Sequence, residues 1–285
     1  MPVVSRGEKR AGYELIEGVK VFKLTAKPVR WEILPGVVMN AFGYNGQVPG
    51  PEIRVQEGDR VRIIIKNELP VPTTIHWHGV HVPNSEDGVP EVTQPAIKPG
   101  ETYTYEFIAN PPGTHSYHTH GPESAEQLDK GLYGAFIIEP KNPGPYDTGY
   151  DREYTLTLDE WTKTGGHSHH IDDYVYFTIN GKAFPATEPL IVKQGERIKL
   201  RWANMGQQDH PMHIHGHAFT VTHRDGFPLA APFVADTLNI APGEHYDLEL
   251  VANNPGTWVY HCHNLHHVGN DGKEMGGLVL VVNYE

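Results

Sequence analysis

The 285-residue chain contains one cysteine, Cys262, which excludes a framework of intrachain disulfides. Basic residues are also scarce, since 23 Lys and Arg stand against 35 Asp and Glu, and a net charge of −12 argues against nucleic-acid binding. No apolar run approaches the roughly 18 residues of a membrane-spanning helix. The N-terminal stretch MPVVSRGEKR lacks the apolar segment of a secretory signal peptide. We therefore expect no nucleic-acid partner, no membrane partner and no signal peptide in this chain.

The residue in clear excess is histidine, with 19 copies in 285 residues. Imidazole is a common ligand of copper, zinc, iron and nickel, so the positions of these histidines are the main clue to function.

The chain is built from two copies of one pattern. YNGQVPGPEIRVQEGDRVRIII in the first half corresponds to INGKAFPATEPLIVKQGERIKLRW in the second, and PPGTHSYHTH corresponds to NPGTWVYHCH. The equivalent glycines Gly58 and Gly195, and the equivalent histidines His76 and His213, are each 137 residues apart. A period of this length indicates duplicated domains rather than a solenoid, whose repeats are 20 to 50 residues long.

Within each copy, short alternating runs such as RVRIII, TYTYEFI and YDLELV are separated by turn-forming residues. This pattern predicts antiparallel strands in a sandwich. The polar, turn-rich stretch KNPGPYDTGYDRE, which starts at Lys141, is the expected boundary. We predict an all-β chain with two tandem Greek-key β-sandwich domains, residues 1–145 and 146–285.

Four His-x-His pairs occupy equivalent places in the two copies. They are His76/His78, His118/His120, His213/His215 and His261/His263. Residues i and i+2 of a strand point to the same face, so each pair presents two imidazoles together. Four repeat-related pairs predict metal sites, whereas a single pair would be explained by hydrogen-bonded surface histidines.

A different donor set is expected on the opposite face of the second copy. Cys262 lies between His261 and His263, and His210 lies an odd number of residues before His213. Together with His267, these residues form a His₂Cys set of the kind that blue-copper sites use. In the first copy the three positions hold Thr73, Thr119 and Ser124, so the whole set is absent there while all four histidine pairs are kept.

With these motifs the chain resembles the two-domain, laccase-like multicopper oxidases of the cupredoxin family. The matching stretches are HWHG, DGVPEVTQ, HSYHTHG, HPMHIHGH and HCHNLHH, in that order. The resemblance covers nearly the whole chain and implies cupredoxin-like domains, the first without a type 1 copper.

The resemblance implies four coppers per chain, one of type 1, one of type 2 and two of type 3. His76 and His213 would hold the type 2 copper. The type 3 pair would be held by His78, His118, His120, His215, His261 and His263. His210, Cys262 and His267, here named the type 1 set, would hold the type 1 copper. The usual axial methionine falls at Gly272, so Met275 is the expected weak axial ligand.

The resemblance further implies one-electron oxidation of phenolic or aromatic amine donors at the type 1 copper, coupled to four-electron reduction of dioxygen to water. Cys262 would carry electrons along the backbone to its two histidine neighbours. Asp87 would relay protons near the type 2 copper, and His266 is a candidate for a second relay. Relatives of this kind are homotrimers with clusters between subunits, and a periplasmic or secreted location is expected.

Three alternatives stay open. A metal-ion oxidase acting on Cu(I), Fe(II) or Mn(II) would share the copper core, although five methionines exclude a methionine-rich binding segment. A copper nitrite reductase would need a cysteine where Thr119 stands and only three cluster histidines. An electron-transfer cupredoxin needs one blue site and leaves the eight paired histidines unexplained.

Overall fold

The computed structural model describes residues 9–285. The first eight residues of the predicted first domain, which include most of the stretch considered for a signal peptide, lie outside the described residues. The chain divides into two compact units. The N-terminal unit consists of residues 9–31 and Asn40–Asn142, and the C-terminal unit consists of Glu32–Met39 and Pro143–Glu285.

Two sheets build the N-terminal unit. One has the order β1-β2-β5-β7 with β3 paired to β2, and the other has the order β4-β9-β8-β6. The strands are β1 (Tyr13–Ile16), β2 (Val19–Leu34), β3 (Val37–Tyr44), β4 (Gly50–Gln56), β5 (Arg60–Asn67), β6 (His76–His78), β7 (Thr102–Ile108), β8 (Gly113–His118) and β9 (Tyr133–Glu139). A 3-10 helix spans Asn84–Glu86, and α1 spans Ser124–Asp129. The far ends of β2 and β3 belong to the C-terminal unit.

The C-terminal unit also has two sheets, with the orders β16-β15-β18-β13-β10-β11-β20-β21 and β12-β22-β19-β14-β17. The first eight strands are β10 (Arg152–Thr162), β11 (Tyr174–Ile179), β12 (Leu190–Val192), β13 (Arg197–Asn204), β14 (His210–Ile214), β15 (Phe219–Arg224), β16 (Phe227–Ala235) and β17 (Thr237–Ile240). The last five are β18 (His245–Val251), β19 (Thr257–Cys262), β20 (Gly269–Asn270), β21 (Lys273–Glu274) and β22 (Val279–Tyr284). Two 3-10 helices span Ile171–Asp173 and Leu265–Val268.

The strand pairing repeats from one unit to the next. The parallel pairs β2–β5 and β4–β9 correspond to the parallel pairs β10–β13 and β12–β22. The antiparallel pair β6–β8 likewise corresponds to β14–β19. The repeat that is visible in the sequence is therefore a repeat of topology, and it places the paired histidines on equivalent strands.

Each unit encloses its own apolar core between its two sheets. The alternation of β5 illustrates the cause, because Val61, Ile63 and Ile65 are fully buried while Arg62 and Ile64 between them are more exposed. Trp77 and Tyr117 belong to the N-terminal core, and Cys262 belongs to the C-terminal core. The predicted all-β fold with two sandwich domains is confirmed. Among residues 9–285, no helix has the length and apolar character to cross a membrane.

Candidate metal centres

The N-terminal histidine cluster consists of His76, His78, His118 and His120. Strands β6 and β8 pair antiparallel with His76 directly opposite His118, so the pairing of two short strands brings the imidazoles together. The ligand nitrogens of His76, His78 and His118 all lie within 4.8 Å of one another. The ring of His120 has its centroid 5.8 Å from that of His76. This spacing suits imidazoles that share metal ions.

Backbone carbonyls fix the orientation of two of these rings. Nδ1 of His76 donates to the carbonyl oxygen of Asp87 at 2.9 Å, and Nδ1 of His118 donates to the carbonyl oxygen of Thr119 at 2.8 Å. Because a carbonyl only accepts, Nδ1 carries the proton and Nε2 keeps a free lone pair for a metal. Burial, together with the neighbouring imidazoles, lowers the pKa of His118 to about 3, so this ligand is neutral at physiological pH.

The C-terminal histidine cluster consists of His213, His215, His261 and His263. It is built the same way, because His213 lies directly opposite His261 across β14 and β19. Nε2 of His215 and Nε2 of His261 are 3.0 Å apart, and the centroids of His213 and His263 are 5.6 Å apart. His215 and His263 are exposed, so this cluster has an open side.

The carbonyl contacts are repeated in the C-terminal cluster. Nδ1 of His213 donates to the carbonyl oxygen of Asp236 at 3.0 Å, and Nδ1 of His261 donates to that of Cys262 at 2.8 Å. Asp236 is thus the counterpart of Asp87. Sequence reasoning missed it because Asp236 follows its histidine by 23 residues, whereas Asp87 follows its own by 11.

The type 1 set lies on the opposite face of the same strands. His210 and Met212 of β14 and Cys262 of β19 are buried, whereas His213, the residue after Met212, points the other way. Met212 pairs directly with Cys262 across the two strands. The strict alternation of a strand therefore separates two donor sets across one layer of backbone, as the sequence predicts.

The three donor atoms of the type 1 set lie close together. Nδ1 of His210 and Nδ1 of His267 are 3.0 Å apart, and Sγ of Cys262 is 3.6 Å from Nδ1 of His267. All three side chains are buried, and their ligand atoms lie within 4.8 Å of one another. Cys262 is supplied by β19, and His267 follows it on the 3-10 helix.

The groups around His267 prepare it as a ligand. Its Nε2 is 3.0 Å from the side-chain amide nitrogen of Asn264 and 3.1 Å from Oε1 of Gln208, so two side-chain amides hold the ring in place. Phe177 stacks on the ring with a centroid distance of 4.3 Å. Burial lowers the pKa of His267 to about 3 and raises the pKa of the Cys262 thiol to about 12. A buried thiol beside two buried imidazoles fits copper, because a bound metal replaces the thiol proton.

The proposed axial ligand and the proposed relay residues differ in their surroundings. Met275 has 69% of its surface exposed and a backbone φ of 60°, unlike the buried type 1 set. Its role as axial ligand stays a prediction, and that role requires the side chain to turn inward. The Asp87 carboxylate oxygen Oδ1 is 3.4 Å from Nδ1 of His76. His266 is exposed beside its buried neighbour His267.

The N-terminal unit fills the equivalent place with a closed hydrogen-bond network. The hydroxyls of Thr73 and Thr119 are 3.0 Å apart, and Thr119 donates to Oε1 of Gln127 at 2.8 Å. The third member is therefore Gln127 of α1 rather than the expected Ser124. Its amide donates to the carbonyl oxygens of Pro72 and Pro122, which locks the side chain in place.

A cavity of about 580 Å³ opens beside the type 1 set. His267 lines its wall, so the cavity meets the type 1 set at this side chain. The wall is mostly polar and, among the described residues, carries one carboxylate. The residues that line it are Ile171, Gln207, Gln208, Asp209, Pro211, Asn239, Asn264 and His267.

The histidine-rich loop of the C-terminal unit runs next to this cavity. The rings of His167 and His169 pack edge to face with centroids 4.9 Å apart, and His169 and His170 are exposed. Ile171, the next residue, lines the cavity. Two other histidines have structural contacts: Nε2 of His217 is 2.6 Å from the Tyr284 hydroxyl, and Nε2 of His115 is 2.9 Å from the backbone carbonyl oxygen of Pro111.

Comparison with known proteins agrees with this architecture. Family models described as multicopper oxidase match residues 25–143 and residues 148–282. The solved structure of a blue copper oxidase from Nitrosomonas europaea is 39% identical, with a TM-score of 0.88 over 93% of this chain and 85% of that one.

Two curated relatives are longer proteins. The multicopper oxidase MmcO of Mycobacterium tuberculosis is 32% identical over 80% of this chain and 51% of its own length. A probable nitrite reductase-hydroxylamine oxidoreductase fusion protein of Kuenenia stuttgartiensis is 31% identical over 93% of this chain and 32% of its own length. The chain thus spans about a third to a half of these relatives. Its two matched domains and its similarity to a solved oxidase show that the chain belongs to the multicopper oxidase family, whose members are copper oxidoreductases that use dioxygen.

Proposed function

We propose that this chain is the subunit of a laccase-like oxidase that removes single electrons from phenolic or aromatic amine donors and reduces dioxygen to water. The observation that carries the proposal is the buried type 1 set with a donor-sized cavity at His267. When bound, copper supplies the one-electron steps at the type 1 set and the four-electron reduction of dioxygen at the paired histidines.

The chain's own residues have defined parts in this proposal. The cavity positions the donor against His267, which both lines the cavity and belongs to the type 1 set. Cys262 is joined through the peptide backbone to His261 and His263, which gives electrons a covalent route of one residue in each direction. The carbonyl contacts of His76 and His213 hold their Nε2 atoms ready for metal binding before any copper arrives.

We assign the role of proton relay to Asp87. Its carboxylate lies beside His76 and is about one-third exposed, so it can exchange protons with water and pass them toward the N-terminal histidine cluster. The main chain of the same residue orients His76, which separates the orienting role from the proposed relay role.

Each unit supplies four of the eight cluster histidines. We assign the complete cluster to a homotrimer, in which the N-terminal cluster of one subunit joins the C-terminal cluster of another. The exposure of His215 and His263 supports this assignment, because ligands of a finished cluster are normally shielded by further protein. A monomer with full copper content and full oxidase activity would contradict it.

Oxygen uptake with a simple phenol such as 2,6-dimethoxyphenol tests the proposal. The wild-type protein is expected to consume oxygen, and Cys262→Ser is expected to abolish uptake with the donor while the paired histidines stay intact. A blue wild-type protein that consumes no oxygen with any phenolic or amine donor would indicate an electron carrier instead.

A metal-ion oxidase is the second candidate. The loop that carries His167 and His169 leads into the cavity wall at Ile171, and Asp209 places a carboxylate there, so the cavity has donors for a cation. Oxygen uptake that is much faster with Cu(I) or Fe(II) than with phenols, and that falls in the His167→Ala/His169→Ala double variant, would favour this candidate.

A further inference from the structure

One buried carboxylate close to the type 1 set has no part in the function proposed above. Glu160 lies on β10, the strand between β11 and β13, and only 1% of its surface is exposed. Its Oε2 is 3.3 Å from Nε2 of His210. Within the part of the chain that the structure describes, neither of these two buried atoms has a hydrogen-bond partner. Buried polar atoms of this kind are rare, so their facing each other calls for an explanation.

The surroundings hold Glu160 in a single position. Its other oxygen, Oε1, accepts the backbone N–H of Gln207 at 2.6 Å. A Cβ atom at Gly206 would collide with Oε2, so the backbone passes close to the carboxylate there. Oε1 therefore has a backbone donor, and Oε2 faces Nε2 of His210, which can donate when Nδ1 is free to bind a metal.

The two histidines of the type 1 set differ in their outer contacts. Nε2 of His267 faces the neutral side-chain amides of Asn264 and Gln208, whereas Nε2 of His210 faces the carboxylate of Glu160. Phe177, which stacks on His267, lies directly opposite Glu160 across β10 and β11. One hairpin thus packs an aromatic ring against one ligand and a negative charge against the other.

We propose that Glu160 is a positioning residue for His210 that directs Nδ1 toward Cys262 and lowers the reduction potential of the type 1 copper. The inference rests on the proposed function, since it takes His210, Cys262 and His267 as the ligands of that copper. A carboxylate that accepts the outer N–H of a ligand imidazole fixes its orientation and strengthens it as a donor. A nearby buried negative charge also favours Cu(II) over Cu(I).

The variant Glu160→Gln tests this inference because it keeps the size of the side chain and removes its charge. The reduction potential of the type 1 copper, followed by its blue absorption in a redox titration, is expected to be higher than in the wild type. Retention of the type 1 copper against a chelator is expected to be about 10- to 100-fold weaker.

Glu153→Gln is the matched control. Glu153 is a second buried carboxylate of β10, but it is paired with Arg201 at 2.6 Å. This variant removes the same charge from the same strand, and we expect the potential to stay at the wild-type value. Gly206→Ala adds a methyl group against Oε2 without removing any charge, and we expect it to shift the potential by displacing the carboxylate.

The outcomes separate the two proposals. A wild-type protein without blue absorption overturns the type 1 assignment, and the role of Glu160 with it. A blue wild type with an unchanged potential in Glu160→Gln overturns the inference about Glu160 and leaves the proposed function standing. If Glu160→Gln does not fold, Gly206→Ala decides, and an unchanged potential in that variant contradicts the inference.

Discussion

The hydroxyls of Thr73 and Thr119 lie 3.0 Å apart in the core of the N-terminal unit, at the places where the C-terminal unit has His210 and Cys262. With Gln127 they form a network in which the polar groups satisfy one another. The N-terminal unit has thus replaced a metal-binding set by a hydrogen-bonded set of similar extent, and the fold around it is unchanged.

Restoring two of the three ligands by the Thr73→His/Thr119→Cys double change is expected to yield no second blue site, because Gln127 still occupies the third position. The change breaks a buried hydrogen-bond network, so the free energy of unfolding should fall by about 1–3 kcal/mol. Denaturant unfolding and copper analysis check both points. A second blue copper per chain would contradict this account of the network.

Asp87→Asn is expected to lower the oxygen-uptake rate by roughly 10²- to 10⁴-fold, the usual contribution of a positioned proton-transfer group. Copper content and blue absorption should stay at wild-type levels, because the backbone carbonyl of Asp87 still accepts from His76. Asp236→Asn is the matched control, since Asp236 holds His213 in the same way but its carboxylate is 64% exposed and 3.8 Å from the ring. An equal loss in both variants would contradict a specific relay role for Asp87.

The metal-free protein is expected to lose stability as the pH falls from 6.5 toward 3. In the folded chain the pKa values of His118 and His267 are lowered from 6.5 to about 3, chiefly by burial. The unfolded chain therefore binds more protons in this range, and protonation pulls the equilibrium toward it. Thermal unfolding between pH 7 and pH 3 measures the effect, and His118→Asn should flatten the dependence. A Tm that stays constant or rises over this range would contradict the prediction.

Asp209→Asn is expected to reduce kcat/KM for a cationic aromatic amine relative to a neutral phenol. Asp209 is exposed and is the one carboxylate among the described residues of the cavity wall, so the ratio should change by no more than a factor of about 5. Steady-state kinetics with both donors, at low and at high salt, check this. Equal effects on the two donors would mean that neither is bound near Asp209.

Much of the geometry of the type 1 set can be predicted from the sequence. The alternation of residues along a strand predicts that Cys262 and His210 face away from His213, and the internal repeat predicts where the set is missing. Strand alternation and internal repetition are both patterns that a single sequence displays directly.

Other parts of the site depend on contacts that the sequence does not display. Glu160 reaches His210 from a strand that lies 50 residues earlier in the chain. Asp236 contacts His213 as Asp87 contacts His76, but the number of residues between aspartate and histidine differs in the two units. The repeat aligns Ser124 with His267. In α1, however, the side chain that turns inward is that of Gln127, three residues later. Each of these contacts is set by tertiary packing.

Copper analysis combined with an absorption spectrum of the wild-type protein tests the central claim most directly. The account predicts about four coppers per chain together with the blue absorption of a copper–thiolate site. One copper per chain, or full copper content without blue absorption, would contradict it.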